Sequence, residues 1–437
     1  MLRRSPHDKD ILRLALPALG ALAAEPLYIL VDTAIVGHLG TPQLAALALA
    51  GTVLTGTFTL FNFLTYGTTA QVARYHGAGQ EMVAGRLAAQ ALWLASGIGL
   101  ALVVLALALA VPAVHAMGGA HHTGSLAVLY LRIGALGLPF ALIALAGQGY
   151  LRGMASMRRP LVIVLLANGV NVVLEVLFVY VFHWGLAGSA WGTVIAQAGM
   201  GAAFAAELLR APADDRRPRA ELMRPLARVG RDIFVRTAAL YASFLVASAV
   251  LARVGSASLA AHQIAFQLWT FLALVLDAVA IAGQVIVGRT LGAGQADDAY
   301  DAAVRMLGWS CLVGAAFALA LLALTDLLPH AFTDDDKVID RLHAIWPIFA
   351  LMQPLNGLVF ALDGILIGAS DTRFLKWSMV FAAVVVYVPI ALLALKLDWG
   401  IVGVWCGIAA LIVARLVTCG ARFAGRRWAV TGVPERA

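Results

Sequence analysis

The sequence predicts an all-α polytopic membrane protein: twelve transmembrane helices in two parallel six-helix bundles, related by a pseudo-two-fold axis along the membrane normal, around a central cleft. Three observations predict it. Of the 437 residues, 62% are hydrophobic and 13% charged, where a soluble domain has roughly half and about a quarter; the mean hydropathy of +0.88 then requires lipid to solvate much of the surface. The apolar windows are continuous runs near the ~20 residues a helical span needs, not the alternating ten-residue segments of a barrel. Finally, the chain resembles itself when shifted by 215 residues, close to half its length.

In chain order, the first six runs cover 11–36, 44–71, 87–112, 126–151, 160–182 and 186–208, and the second six cover 231–254, 260–288, 306–329, 341–368, 375–396 and 401–421. The first begins like a signal peptide, with Arg3, Arg4 and the small triplet Ala21-Leu22-Ala23, but Arg13 and Pro17 interrupt it and the run continues, so a retained span is expected. Pro17 and Pro26 each remove a backbone hydrogen bond and are the expected hinge of this helix. The second span ends in Gly77-Ala78-Gly79-Gln80, which the offset lays on Gly292-Ala293-Gly294-Gln295; twelve of the 41 positions from 40 to 80 match without a gap. Farther along, the same offset pairs Pro139 with Pro354, Gly153 with Gly368, Arg158 with Arg373, Trp184 with Trp399 and Gly188 with Gly403. Six spans per half is an even number, so both halves enter the membrane in the same sense, an architecture suited to rocking-type alternating access. The expected organisation is an N-terminal lobe over 1–209, a cytoplasmic basic linker over 210–230, a C-terminal lobe over 231–425 and a cytoplasmic tail over 426–437.

Charge sets orientation. With both termini cytoplasmic, inner segments hold 25 of the 31 Lys and Arg, outer loops hold only Arg253, Lys337, Arg341 and Lys396, and Arg132 and Arg236 fall within spans. That bias accounts for the net charge of +7 without nucleic acid as a partner. Cys311, Cys406 and Cys419 lie in apolar stretches without metal-type spacing. No cofactor is expected, and no nucleophilic Ser/His set or charged filter points to an intramembrane enzyme or a channel. Four Lys against 27 Arg and a high Ala content suggest a GC-rich bacterium, hence its inner membrane, and a monomer is expected.

Ionisable groups inside spans carry the chemistry, because each costs at least about 2.5–3.5 kcal/mol at mid-bilayer unless it has a partner, water or a proton. Asp32 lies one turn beyond Tyr28 and two beyond Glu25 on one face of the first helix. On the fifth span Asn168, Asn171 and Glu175 form a polar stripe; with Asp32 they can hold a proton, or with Thr193 supply oxygens to Na⁺. Asp32, Asn168, Asn171, Glu175 and Thr193 are therefore the candidate ion-coupling set. In the second half Asp277 falls opposite Asn62 and Asp363 opposite Gln148, so all four are expected to line a substrate cavity. Tyr28, Phe58, Phe61, Tyr66, Trp269 and Phe271 are candidates for an aromatic wall that accepts cations. Arg132 and Arg236 are expected to neutralise nearby acids.

The run Pro26-Leu27-Tyr28-Ile29-Leu30-Val31-Asp32-Thr33-Ala34 followed by Val36-Gly37-His38-Leu39-Gly40, the Asn168/Asn171/Glu175 stripe, and Leu362-Asp363-Gly364 before Gly368 resemble the multidrug and toxic compound extrusion family, most closely its DinF-like branch, over essentially the whole chain. The resemblance implies an antiporter that exports amphipathic, often cationic drugs or toxic metabolites while protons or Na⁺ enter. It implies that Asp32, Asn171, Glu175 and Thr193 form the N-terminal-lobe cation network, with protonation of Asp32 favouring bending of the first helix. Two departures favour protons over Na⁺: Glu175 stands where relatives commonly carry Asp, and the seventh span has only Asp232 near its start and Arg236 in place of a mid-membrane acid. A lipid-linked precursor flippase of the same superfamily is the alternative, resting on Arg132 and Arg236.

Overall fold

The computed structural model describes residues 6–433; Arg3, Arg4 and the last four residues of the expected tail lie outside them. Among the described residues all regular structure is helical. In the first half α1 (Pro6–Gly37), α2 (Thr41–Phe61), α3 (Phe63–Gly77), α4 (Glu81–Ala116), α5 (His121–Ala135), α6 (Leu138–Gly153), α7 (Arg158–Val176) and α8 (Gly185–Arg210) follow in order. The second half continues with α9 (Ala220–Val254), α10 (Ser256–Gly292), α11 (Ala296–Ala323), the short α12 (Leu327–Phe332), α13 (Asp336–Leu351), α14 (Gln353–Gly368), α15 (Thr372–Val380), α16 (Val388–Lys396) and α17 (Gly400–Ala424). Ten helices are long and apolar enough to cross a membrane, and the bent pairs α5–α6 and α13–α14 bring the number to as many as twelve.

The bent pairs differ from the unbroken spans expected over 126–151 and 341–368. Each turns by 49° at a break just before Pro139 and Pro354, which sit in the first turn of α6 and α14, where a missing amide hydrogen costs no helical bond. Gly99 and Gly314 on the facing helices admit the turn: a Cβ there would lie 2.4 Å from the Pro139 Cα and 2.7 Å from the Pro354 Cα. The fifth span of each half widens into a π turn, Leu177–Val181 after α7 and Phe381–Tyr387 after α15. By contrast α1 runs as one helix through both Pro17 and Pro26.

The sequence repeat is also a backbone repeat. Left-handed residues recur 215 positions apart at Gly40 and Gly255, Gly79 and Gly294, Ala155 and Ser370, His183 and Asp398, and Gly185 and Gly400. In the matched Gly-Ala-Gly-Gln loops the amides of Ala78, Gly79 and Gln80 donate to Arg74, His76 and Tyr75, and those of Ala293, Gly294 and Gln295 donate to Arg289, Leu291 and Thr290. These loops are paired helix caps. The α3–α6 and α10–α14 contacts correspond as well: a Cβ on Gly149 would meet the Thr65 carbonyl at 2.6 Å, and one on Gly364 the Ala280 carbonyl at 2.1 Å.

Two compact units result, one of residues Gly20–Gly230 and one of Arg231 onward together with the chain up to Leu19. This boundary departs from a first lobe beginning at residue 1: the start of α1 belongs with the second half, where Arg305 clamps Asp8 at 2.6 and 2.8 Å and the Trp309 indole adds a bond of 2.8 Å. The expected linker is irregular only over 211–219, since α9 begins at Ala220. It docks on α4 of its own unit. The Gln90 side chain donates to the Arg217 carbonyl and accepts from the Arg219 amide, the Trp93 indole donates to the Arg216 carbonyl, and Arg86 forks onto Asp214. The Arg86 guanidinium holds the exposed Asp214 carboxyl below the usual carboxylate range.

Candidate functional site: a polar cavity in the first half

Within Gly20–Gly230, stripes from α1, α2, α6, α7 and α8 enclose a cavity of about 570 Å³, a size that suits a drug-like ligand. The stripes recur every three or four residues, as helical geometry requires of one face. On α1 the stripe is Ala21, Leu22, Glu25, Tyr28, Ile29, Asp32 and Thr33, so the three polar groups aligned in the sequence do share one wall. Asn168 and Asn171 face them from α7, and Thr193 from α8.

At one end of this wall the hydrogen bonds form a chain. The Asn171 amide donates to the Tyr28 hydroxyl at 3.4 Å, the Tyr28 hydroxyl lies 2.9 Å from the Thr193 hydroxyl and 3.4 Å from Glu175 Oε1, and Thr193 donates to the same Oε1 at 3.2 Å. Ser189 on α8, one turn before Thr193, donates to Asp32 Oδ1 at 2.8 Å. Asp32, Asn171 and Glu175 are 6%, 3% and 0% exposed, and no Lys, Arg or His pairs with either acid among the described residues. Glu175 Oε2 and Asn171 Oδ1 are buried without a hydrogen-bond partner among the described residues. Such orphaned acceptors call for a proton, a water or a cation. Gly192 lets the Glu175 helix approach, since a Cβ there would meet the Glu175 side chain and amide at 3.1 and 3.2 Å. Asn168 plays a different part, donating to the Ala24 carbonyl at 3.1 Å and so tying α7 to α1 beside Pro26.

Of the candidate cavity residues, Tyr28, Phe58, Asn62 and Gln148 line this space. Phe61 packs on Phe63 at 5.6 Å, and neither it nor Tyr66 is part of the lining. Trp269 belongs to the other unit, where it packs on Phe244 at 5.0 Å; Phe271 is 66% exposed, and Asp277 is half-buried on α10. Asp363 is not an open cavity acid: Arg236 from α9 and Arg415 from α17 both donate to its Oδ2. Arg236 thus neutralises an acid as expected, whereas Arg132 is exposed and has no carboxylate partner among the described residues. Asp232 is buried against Lys376 at 2.6 Å.

Sequence reasoning missed Ser189, Tyr130, Arg152 and Arg415. The first has a legible signal, a hydroxyl one turn from Thr193. Arg415 lies inside the apolar run 401–421, where its position alone does not reveal its partner. Arg152, just past the run 126–151, is buried and lines the cavity, donating to Gln148 at 3.1 Å. Tyr130, buried on α5, completes the wall.

Comparison with known proteins identifies the family. A family model described as MatE matches twice, at residues 17–177 and 233–393, one match per half and close to the 215-residue offset. The DNA damage-inducible protein F of Escherichia coli is 30% identical over 93% of this chain and 90% of its own. The multidrug resistance protein PmpM of Pseudomonas aeruginosa is 28% identical over 96% of this chain and 91% of its own. Among solved structures, a MATE protein in its bent conformation has a TM-score of 0.89 at 21% identity, and a MOP superfamily transporter from Pyrococcus furiosus one of 0.87 at 22%, each pairing covering 97% of both chains. The chain belongs to the MatE family of multi-pass membrane transporters and is not an enzyme.

Proposed function

We propose that the protein exports amphipathic, predominantly cationic drugs or toxic metabolites by alternating access, in exchange for protons held by Asp32 and Glu175. One observation carries this: the two acids beside the cavity accept from the hydroxyls of Ser189, Thr193 and Tyr28 and pair with no cation among the described residues, an arrangement that suits a group that gains and loses a proton during transport. The prolines at 17 and 26 give α1 the freedom to change curvature with the charge of Asp32. Na⁺ coupling is the second reading, favoured by the two orphaned oxygens on Glu175 and Asn171. The flippase alternative rested on Arg132 and Arg236, and neither lines the cavity. The site belongs in a bacterial inner membrane with both termini cytoplasmic, as the charge bias requires, and works as a monomer.

The test is uptake of a fluorescent cationic dye into proteoliposomes under an imposed pH gradient and, separately, a Na⁺ gradient. Movement driven by the pH gradient and lost in Asp32→Asn and Glu175→Gln supports proton antiport. Drive by Na⁺ alone replaces the ion but keeps the site, and no movement under either gradient sinks the export reading.

A further inference from the structure

Glu25 differs from the other acids of the first-half cavity. Asp32 accepts from Ser189, and Glu175 from Thr193 and Tyr28, whereas Glu25 lines the cavity without a hydrogen bond or an ion pair to any other described residue. A carboxylate at bilayer depth needs water or a counter-charge, and in an export cavity the incoming molecule can supply that charge. Two further oxygens lie around it. Leu22 is on the same wall one turn earlier, and its carbonyl loses its helical donor because Pro26 has no amide hydrogen. From α7, Asn168 donates at 3.1 Å to the carbonyl of Ala24, the residue before Glu25; that bond uses the amide nitrogen, and the amide oxygen accepts from no described residue. A carboxylate, a backbone carbonyl and an amide oxygen therefore border one part of the cavity wall, and all three are acceptors. On α2 the same cavity is apolar at Leu44, Leu47 and Leu54, a surface for the body of an amphipathic molecule. A primary ammonium group carries three N–H donors and no acceptor, so it can satisfy these oxygens together while bringing Glu25 its counter-charge. A quaternary ammonium ion brings the charge and no donor.

We propose that Glu25, the Leu22 carbonyl and the Asn168 amide oxygen form a recess for the N–H-bearing head of the exported molecule, so the cavity prefers amphipathic primary amines to quaternary ammonium ions of the same body. This rests on the export reading above and divides the labour within it: the recess selects the cargo, while Asp32 and Glu175 carry the proton.

Two probes with one fluorophore test it: dansylcadaverine, whose chain ends in a primary amine, and its trimethylammonium analogue. Their Kd values are measured by dansyl fluorescence on the full-length protein in lipid nanodiscs, against empty nanodiscs, alongside melting curves that identify misfolded variants. The proposal expects wild type to bind the amine about ten-fold more tightly than the trimethylammonium ion. Glu25→Gln should weaken both ions and the amine more, with recovery in Glu25→Asp. Pro26→Ala returns an amide hydrogen to the Leu22 carbonyl, and Asn168→Leu removes the amide oxygen; each should narrow the amine preference with the charge of Glu25 still in place. Equal wild-type affinity for the two ions overturns the amine preference, and unchanged binding by a folded Glu25→Gln protein overturns the recess. A preference that survives in both folded Pro26→Ala and folded Asn168→Leu overturns the part given to those two oxygens. If the recess fails in any of these ways while a pH gradient still drives dye uptake that Asp32→Asn abolishes, the export reading stands. Binding of neither ion by wild type overturns the recess, and absence of dye uptake under either gradient then removes the export reading as well.

Discussion

Asp363→Asn is expected to unfold the second-half unit before it touches coupling. Asp363, Arg236 and Arg415 have side chains 7%, 14% and 3% exposed, and one carboxylate oxygen receives both guanidinium groups. With the carboxylate replaced by an amide, two buried cations face one another across a neutral group that can accept but not compensate. Breaking a buried pair in this way costs about 3–5 kcal/mol, because the remaining charge is left desolvated, and that is a large part of the stability of a typical domain. Asp363→Asn should therefore lower the midpoint of thermal unfolding in detergent, followed by size-exclusion chromatography of heated samples. The double variant Asp363→Asn/Arg415→Met should recover part of the loss, because it removes one of the stranded cations together with the acid. A single variant that melts like wild type but no longer transports would refute the structural role and make Asp363 a coupling acid.

Three further substitutions probe other parts of the account. Thr193→Val removes the hydroxyl that links Tyr28 to Glu175 and should cost the network about 1–3 kcal/mol; dye transport driven by a pH gradient should fall about ten-fold while dye affinity stays unchanged, and a change in affinity alone would contradict it. Gly85→Ala places a Cβ 1.9 Å from the Pro212 carbonyl oxygen, so it should lift the linker from α4 and speed trypsin cleavage at Arg216 and Arg219. Asp214→Asn should do the same more weakly at pH 7.5. The stabilisation from this lowered carboxylate is complete above the ordinary carboxylate range and fades only as the pH falls through its lowered value.

How much was legible in the sequence follows from the scale of each signal. Span number, helical class and the repeat rest on apolar length and a fixed offset, which local sequence carries in full. The α1 and α7 stripes were readable because helical periodicity alone places Glu25, Tyr28, Asp32 and Asn168, Asn171, Glu175 on single faces. What was not readable depends on which helix packs against which. Ser189 meets Asp32 across 157 positions of sequence, and Arg415 meets Asp363 only because α17 lies against α14. Phe61 and Trp269 show the converse, since aromatic character does not tell a cavity wall from packing. The bend before Pro139 was marked by the proline itself, but the room for it came from Gly99 on another helix.

The central claim is that cargo and protons move in opposite directions through a cycle that needs Asp32 and Glu175. It is tested most directly by proton counterflow: proteoliposomes loaded with a pH-sensitive dye and given no imposed gradient receive a cationic substrate on one side, and the internal pH is followed. The account predicts a substrate-dependent internal pH change, with protons leaving as substrate enters, that is abolished in both Asp32→Asn and Glu175→Gln and is indifferent to Na⁺. Substrate entry without any pH change, or a pH change that persists in both variants, would contradict it.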